Sequence, residues 1–207
     1  MPRPTFLGWQ TGAVLLLLST ADTDLLAARA IPDPVLPLRL GNPARLSVPD
    51  LTDVRVAVVR LLGGRRAWDG LDAFLAEAKS SHVPTVLLGG EGVDAELTSL
   101  STVPAGVVSD AAAYFREGGV DNLRELVAFL SDTLLLTGHG FAAPTTTPGY
   151  GVQGARPQDR SRPTVGVVYY RAHELSGNTG FVDVLCDAIE AKGANALPVF
   201  VASLRPD

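Results

Sequence analysis

Short runs of Val and Leu recur along this chain, and between them lie segments whose apolar residues repeat at helical spacing. The runs are residues 13–18 (AVLLLL), 54–60 (VRVAVVR), 83–88 (VPTVLL) and 165–170 (VGVVYY), with a weaker fifth at 196–201 (ALPVFV). They are apolar without clean alternation, the pattern of strands covered on both faces. In RRAWDGLDAFLAEAKSS the residues Trp68, Leu71, Phe74, Leu75 and Ala78 fall on one helical face. In GVDNLRELVAFLSDTLLL the stripe is Val120, Leu123, Leu126, Val127, Leu130 and Leu134, and in NTGFVDVLCDAIEAKG it is Val182, Leu185, Cys186 and Ile189. Strands alternating with such helices predict an α/β fold with a mostly parallel, doubly wound sheet. Gly118 and Gly119 stop the helix before them, Gly193 ends the last one, and Asn178 or Thr179 caps its start.

Composition narrows the function classes. The 207 residues are 46% hydrophobic and 19% charged, a globular balance. A net charge of -5 and a pI near 5.2 argue against a general nucleic-acid binder, which needs an excess of Lys and Arg facing phosphates. The single cysteine excludes an internal disulfide. Cys186 lies on an apolar helical stripe and reads as a small buried hydrophobe.

The N-terminus has two readings. Arg3, the apolar stretch 13–18 and LAARA at 26–30 imitate the three parts of a secretory signal, and a secreted ligand-binding domain would follow. Asp22 and Asp24 follow the apolar run directly, so a buried strand leading into an Asp-capped helix is the better reading. No run approaches the ~20 apolar residues of a membrane span.

Residues 138–164 are rich in Gly and Pro without a period and read as a linker or long surface loop. They divide an N-terminal α/β domain, residues 11–137, from the start of a second α/β unit, residues 165–207. One strand, one helix and one strand bury too little apolar surface to stand alone. The unit therefore adds to the first sheet or, as we expect, is the incomplete start of something longer.

Ligands of open parallel sheets sit beyond the carboxyl ends of the strands. RAHELSGNTG occupies such a place. Arg171 suits bidentate binding of a carboxylate, His173 can donate or exchange a proton, and Asn178 and Thr179 offer neutral hydrogen bonds. Helix capping by Asn178 and Thr179, with Arg171 and His173 merely solvated, explains the same residues. In RLLGGRRAWDG two glycines allow a tight turn, and Arg65 and Arg66 stand near a helix start, where the macrodipole disfavours cations. An anionic ligand or an acidic partner would offset that, and plain exposure is the simpler account. Asp22 and Asp24 read as capping residues before cation ligands. Glu91, Asp94 and Glu96 lack any base or nucleophile beside them, His82, His139 and His173 fit no metal-ligand spacing, and no phosphate loop occurs.

The stretches LLLLSTADTDLLAARA, NPARL, RLLGGRRAWDGLD, DAELTSLSTVPAG, GGVDNLRELVAFLSDTLL and, above all, PTVGVVYYRAHELSGNTGFVDVLCDAIEAKGANALPVFVASLR resemble the N-terminal part of the large subunit in the cobaltochelatase (CobN) and magnesium-chelatase H family. The resemblance implies a fragment of a subunit of an ATP-dependent complex. That complex inserts Co²⁺ into hydrogenobyrinic acid a,c-diamide in aerobic, cytoplasmic cobalamin biosynthesis. The implied partners are the remainder of the large subunit, an AAA+ ATPase with its companion subunit, and the corrin-type tetrapyrrole. Cobalt and ATP are used by the complete complex, and no cofactor is expected on this piece, which alone is expected to be inactive. The macrocycle carries many carboxylates, so the resemblance gives Arg171, His173, Asn178, Thr179, Arg65 and Arg66 a tetrapyrrole-facing role. A magnesium-chelatase fragment and a non-catalytic docking domain are the alternatives. Family members are much longer, and the stretch IPDPVLPLRL departs from the family pattern.

Overall fold

The computed structural model describes residues 13–45, 49–90 and 92–204. Arg3, Leu46, Glu91 and the last three residues, 205–207, lie outside them. Four parallel strands form the first sheet: β1 (Val14–Ser19), β2 (Leu38–Gly41), β3 (Val54–Arg60) and β4 (Thr85–Leu88), in the order β2-β1-β3-β4. Around them lie helices α1 (Asp22–Arg29), α2 (Leu71–Ser80), α3 (Ala95–Leu100), α4 (Ala105–Glu117) and α5 (Gly119–Leu135).

The sheet is wound on both faces, as the uninterrupted Val and Leu runs predict. Leu15, Leu17, Val56, Val58, Val86 and Leu88 face one core, which α1, α4 and α5 close. Leu16, Leu18, Ala57, Val59 and Leu87 face the other, which α2 and α3 close. Alternation along each strand supplies both layers. The α2 stripe is buried through Leu71, Phe74 and Ala78, and the α5 stripe through Leu123, Leu126, Val127 and Leu130. Ala27 and Ala28 of LAARA are also buried, on the inner face of α1.

Several elements went unread in the sequence. β2 is a four-residue edge strand in the stretch IPDPVLPLRL, half-buried and carrying Arg39 at its centre, so it lacks a long apolar run. The α3 segment reads as an acidic loop, yet the Asp94 carboxylate accepts the Leu97 amide at 3.0 Å and starts a helix that buries Leu97. The turn after the fourth predicted strand holds a five-residue helix, α6 (Arg171–Leu175). Predicted capping also needs correction. Neither Asp22 nor Asp24 caps α1, whose N-cap is Ala21, because both carboxylates are taken by partners farther along the chain.

The second sheet has the order β5-β7-β6. β6 (Thr164–Tyr170) and β7 (Asn195–Val201) are parallel and joined through α6 and α7 (Gly180–Ala191). β5 (Tyr150–Val152), drawn from the Gly- and Pro-rich stretch, pairs antiparallel with β7. Gly151 has no room for a side chain: a Cβ there would stand 2.5 Å from the Phe200 ring. On one face α7 covers Val167, Tyr169 and Ala196 with Val182 and Cys186. Burial pushes the Cys186 thiol up, consistent with an inert core residue. Leu185, placed on the core stripe by its spacing, is 48% exposed, because α7 has one neighbouring layer rather than two. The sheet thus departs from the prediction of strands covered on both faces: β6 buries only Val167 and Tyr169.

The first part of the Gly- and Pro-rich stretch, residues 139–147, lies along α4 and α5, held by their polar side chains. Asp132 accepts the amides of His139 and Gly140 at 2.8 and 2.7 Å. Glu125 accepts that of Ala142, Asn122 that of Thr145, and Glu117 that of Thr147, each at 2.8 Å. Asn122 also donates to the Thr145 and Gly118 carbonyls, and Tyr114 donates to the Ala142 carbonyl at 2.6 Å. These bonds satisfy the backbone of a segment with no strand partner. They explain why Asn122, 4% exposed, sits in the apolar stripe.

Candidate functional site

β1, β3 and β4 end together, and Arg60 organises the place. Its guanidinium grips both oxygens of Asp24 at 2.9 Å through Nη1. It also donates to the Gly90 carbonyl at 3.0 Å and the Gly89 carbonyl at 3.4 Å. Its carbon stands 5.2 Å from the centre of the Phe115 ring. Ser19 donates to the same Asp24 at 2.6 Å and accepts the Ala21 amide. The Arg60 and Asp24 side chains are only 12% and 13% exposed. Arg60 therefore fastens α1, β3, the loop after β4 and α4 to one another, and its donors are spent inside the protein. Beside it lies a recess of about 90 Å³ bordered by Gly89, Gly90, Gly92, Ser109, Phe115 and Arg116. In sequence Arg60 was only the last letter of a strand. Its partners are 36 and 29–30 positions away, so spacing gave no sign of them.

Arg65 and Arg66 sit in a 3-10 turn, Gly64–Ala67, entered through Gly63 and Gly64 with φ of 109° and 72°. Those left-handed angles are the reason for the paired glycines. Arg65 bonds Asp72 at 2.7 and 2.9 Å and reaches Glu96 at 3.4 Å, and these acids raise its pKa further. The acidic neighbour expected for Arg65 is thus supplied by its own chain. Arg66 is exposed.

The segment from Arg171 to Thr179 ends β6. Arg171 donates to the Thr147 hydroxyl at 2.8 Å and to the Arg116 carbonyl at 2.8 Å. Thr147 in turn donates to the Glu117 carbonyl at 2.7 Å. Leu175 packs on the backbone of Gly118 and Gly119, which have φ of 67° and 84°. A Cβ on Gly118 would already come within 3.4 Å of it. Arg171 and Leu175 thus latch the second sheet to the end of α4. The carbonyl of Arg116 receives this latch, and the same residue borders the recess.

His173 and Asn178 are brought together: the Asn178 amide lies 3.4 Å from His173 Nδ1 and its backbone N–H donates to the His173 carbonyl at 2.9 Å. The His173 ring meets the edge of Phe181, with centroids 5.1 Å apart. Thr179 begins α7 through its carbonyl, which accepts Val182 and Asp183, and neither it nor Asn178 caps with its side chain. Beneath them Tyr169 donates to Glu174 at 2.6 Å, and burial, then this bond, pushes its phenol up. No hydrogen bond or ion pair among the described residues joins the Arg65–Arg66 turn to the Arg171–Thr179 segment. The described residues also contain no group of three or more His, Cys, Asp or Glu placed to hold a metal, and no helix long and apolar enough to cross a membrane.

A doubly wound α/β sheet latched to a smaller second sheet with one open face defines the class of protein. Comparisons with known proteins narrow it. A family model described as CobN/Magnesium Chelatase matches residues 112–207. The aerobic cobaltochelatase subunit CobN of Pseudomonas aeruginosa is 29% identical over 221 residues, taking in 95% of this chain and 18% of that protein. The subunit of the same name from a Sinorhizobium species is 36% identical over 230 residues, with the same shares. The solved catalytic subunit of cobaltochelatase from Mycobacterium tuberculosis is 49% identical and superposes with a TM-score of 0.66 over 94% of this chain and 16% of that one. The chain belongs to the CobN/magnesium chelatase family and spans less than a fifth of the length of these relatives.

Proposed function

We propose that this chain is a scaffolding and docking segment of the large subunit of an ATP-dependent cobaltochelatase. The complete complex, with an AAA+ ATPase and its companion subunit, would insert Co²⁺ into hydrogenobyrinic acid a,c-diamide in aerobic cobalamin biosynthesis. Cobalt is the metal named for the relatives. Residues 11–137 are one unit in this reading, and residues 165–207 begin another.

One observation carries the scaffolding role. The recess at the strand ends measures about 90 Å³, against the ~300–1,000 Å³ of pockets that enclose an organic ligand. A corrin ring does not fit it. Arg171, the best carboxylate ligand by residue type, already makes three hydrogen bonds within the chain. Ring contact by His173, Asn178, Thr179 and Arg66 then belongs to the assembled subunit, with Arg171 and Arg65 positioning the segments that bear them. Titrating the isolated chain with hydrogenobyrinic acid a,c-diamide tests this. The ring absorbance should stay unchanged at large molar excess, and a saturable spectral shift would overturn the scaffolding role.

A further inference from the structure

The second sheet has two unlike faces. Cross-strand register places Val152, Val199 and Val168 in one row and Tyr150, Val201 and Tyr170 in the next. Residues opposite one another in a sheet project to the same side. The two rows therefore form one face, turned away from α7. None of the six residues is charged. Tyr150 is 79% exposed, Val152 and Val168 54%, and Tyr170 52%. Among the described residues β6 is also an edge strand, parallel to its one neighbour and without the Lys, Pro or bulge that usually protects an edge. An apolar face beside a bare edge is a surface that stable proteins cover. The sequence of β6 agrees, since VGVVYY has the pattern of a strand buried on both sides.

We infer that this face and the β6 edge receive a segment of the large subunit lying outside this chain, which adds a strand alongside β6 and lays an apolar surface over the two rows. The relatives have ample further chain for such a segment: this chain matches only 16–18% of their length. The inference rests on the proposed role as a large-subunit segment, and its test separates the two.

Val168→Cys and, independently, Tyr170→Cys are made in the isolated chain and in a chimera. In the chimera this chain replaces the matching segment of the Mycobacterium tuberculosis catalytic subunit. Maleimide labelling of the introduced cysteine is followed by peptide mass spectrometry; Cys186 is fully buried and serves as the internal reference. Labelling at both positions should be at least tenfold slower in the chimera than in the isolated chain. Equal labelling in a chimera that inserts cobalt would overturn the inference and leave the proposed role intact. Protection in the isolated chain that grows with its concentration would assign the face to a second copy, and also overturn it. A folded chimera with protected cysteines but no cobalt insertion would uphold the docking face and count against the proposed role.

Discussion

Replacing Asp24 by Ala removes the counter-charge of Arg60 at the point where three strands end. The guanidinium is 12% exposed and would keep its two carbonyl acceptors and the face of Phe115. Breaking a buried ion pair by deleting one partner costs ~3–5 kcal/mol. The remaining acceptors place this case at the low end, about 3 kcal/mol. For a chain of this size each kcal/mol shifts the melting temperature by ~2–4 °C, so the loss should be about 6–12 °C. Urea unfolding and calorimetry of the wild type, Asp24→Ala, Arg60→Met and the double variant Asp24→Leu/Arg60→Met form the assay. The double variant should cost less than Asp24→Ala, because it leaves no charge unpaired. A loss below about 1 kcal/mol for Asp24→Ala, the range of an exposed pair, would refute the reasoning.

Asn122→Ala should destabilise the chain by about 2–3 kcal/mol, since it strands the Thr145 amide and carbonyl; urea unfolding measures the cost and proteolysis between residues 138 and 149 should speed up. Arg171→Ala should release the second sheet while the first stays folded, seen as faster hydrogen exchange in β6 and β7 with unchanged protection in β1 and β3. Asp132 is held below the usual carboxylate range, chiefly by the Thr137 hydroxyl and then by the His139 and Gly140 amides. A depressed folded-state pKa gives stability that is present above the unfolded value of about 3.9 and lost as pH falls through the folded one. The His139 and Gly140 amides should therefore lose protection on acidification below about pH 4, and Asp132→Asn should abolish that dependence.

The first sheet was legible because its strands are buried on both sides and its helices carry one apolar stripe each. Local periodicity records both facts, so Val54–Arg60 was read with its observed bounds. The strap along α5 was not legible, because its partners are polar side chains of a helix read only for its apolar face. Asn122 gave the one available hint, a polar residue beside Leu123 in a buried segment. The site was less legible than the fold. Arg171 was singled out by residue type, and only the structure shows its guanidinium occupied by Thr147 and the Arg116 carbonyl. Arg60 was passed over because a salt bridge between chain-distant residues has no local pattern. β6 shows a further case: its sequence describes a strand covered twice, and the structure covers it once.

Cobalt insertion by the chimeric Mycobacterium tuberculosis subunit, with this chain in place of its matching segment, addresses the account most directly. The rate should stay within about tenfold of the parent subunit when the ATPase partners are supplied, as expected for a scaffold that is 49% identical across the exchanged region. A well-folded chimera that binds its partners and inserts no cobalt would contradict it.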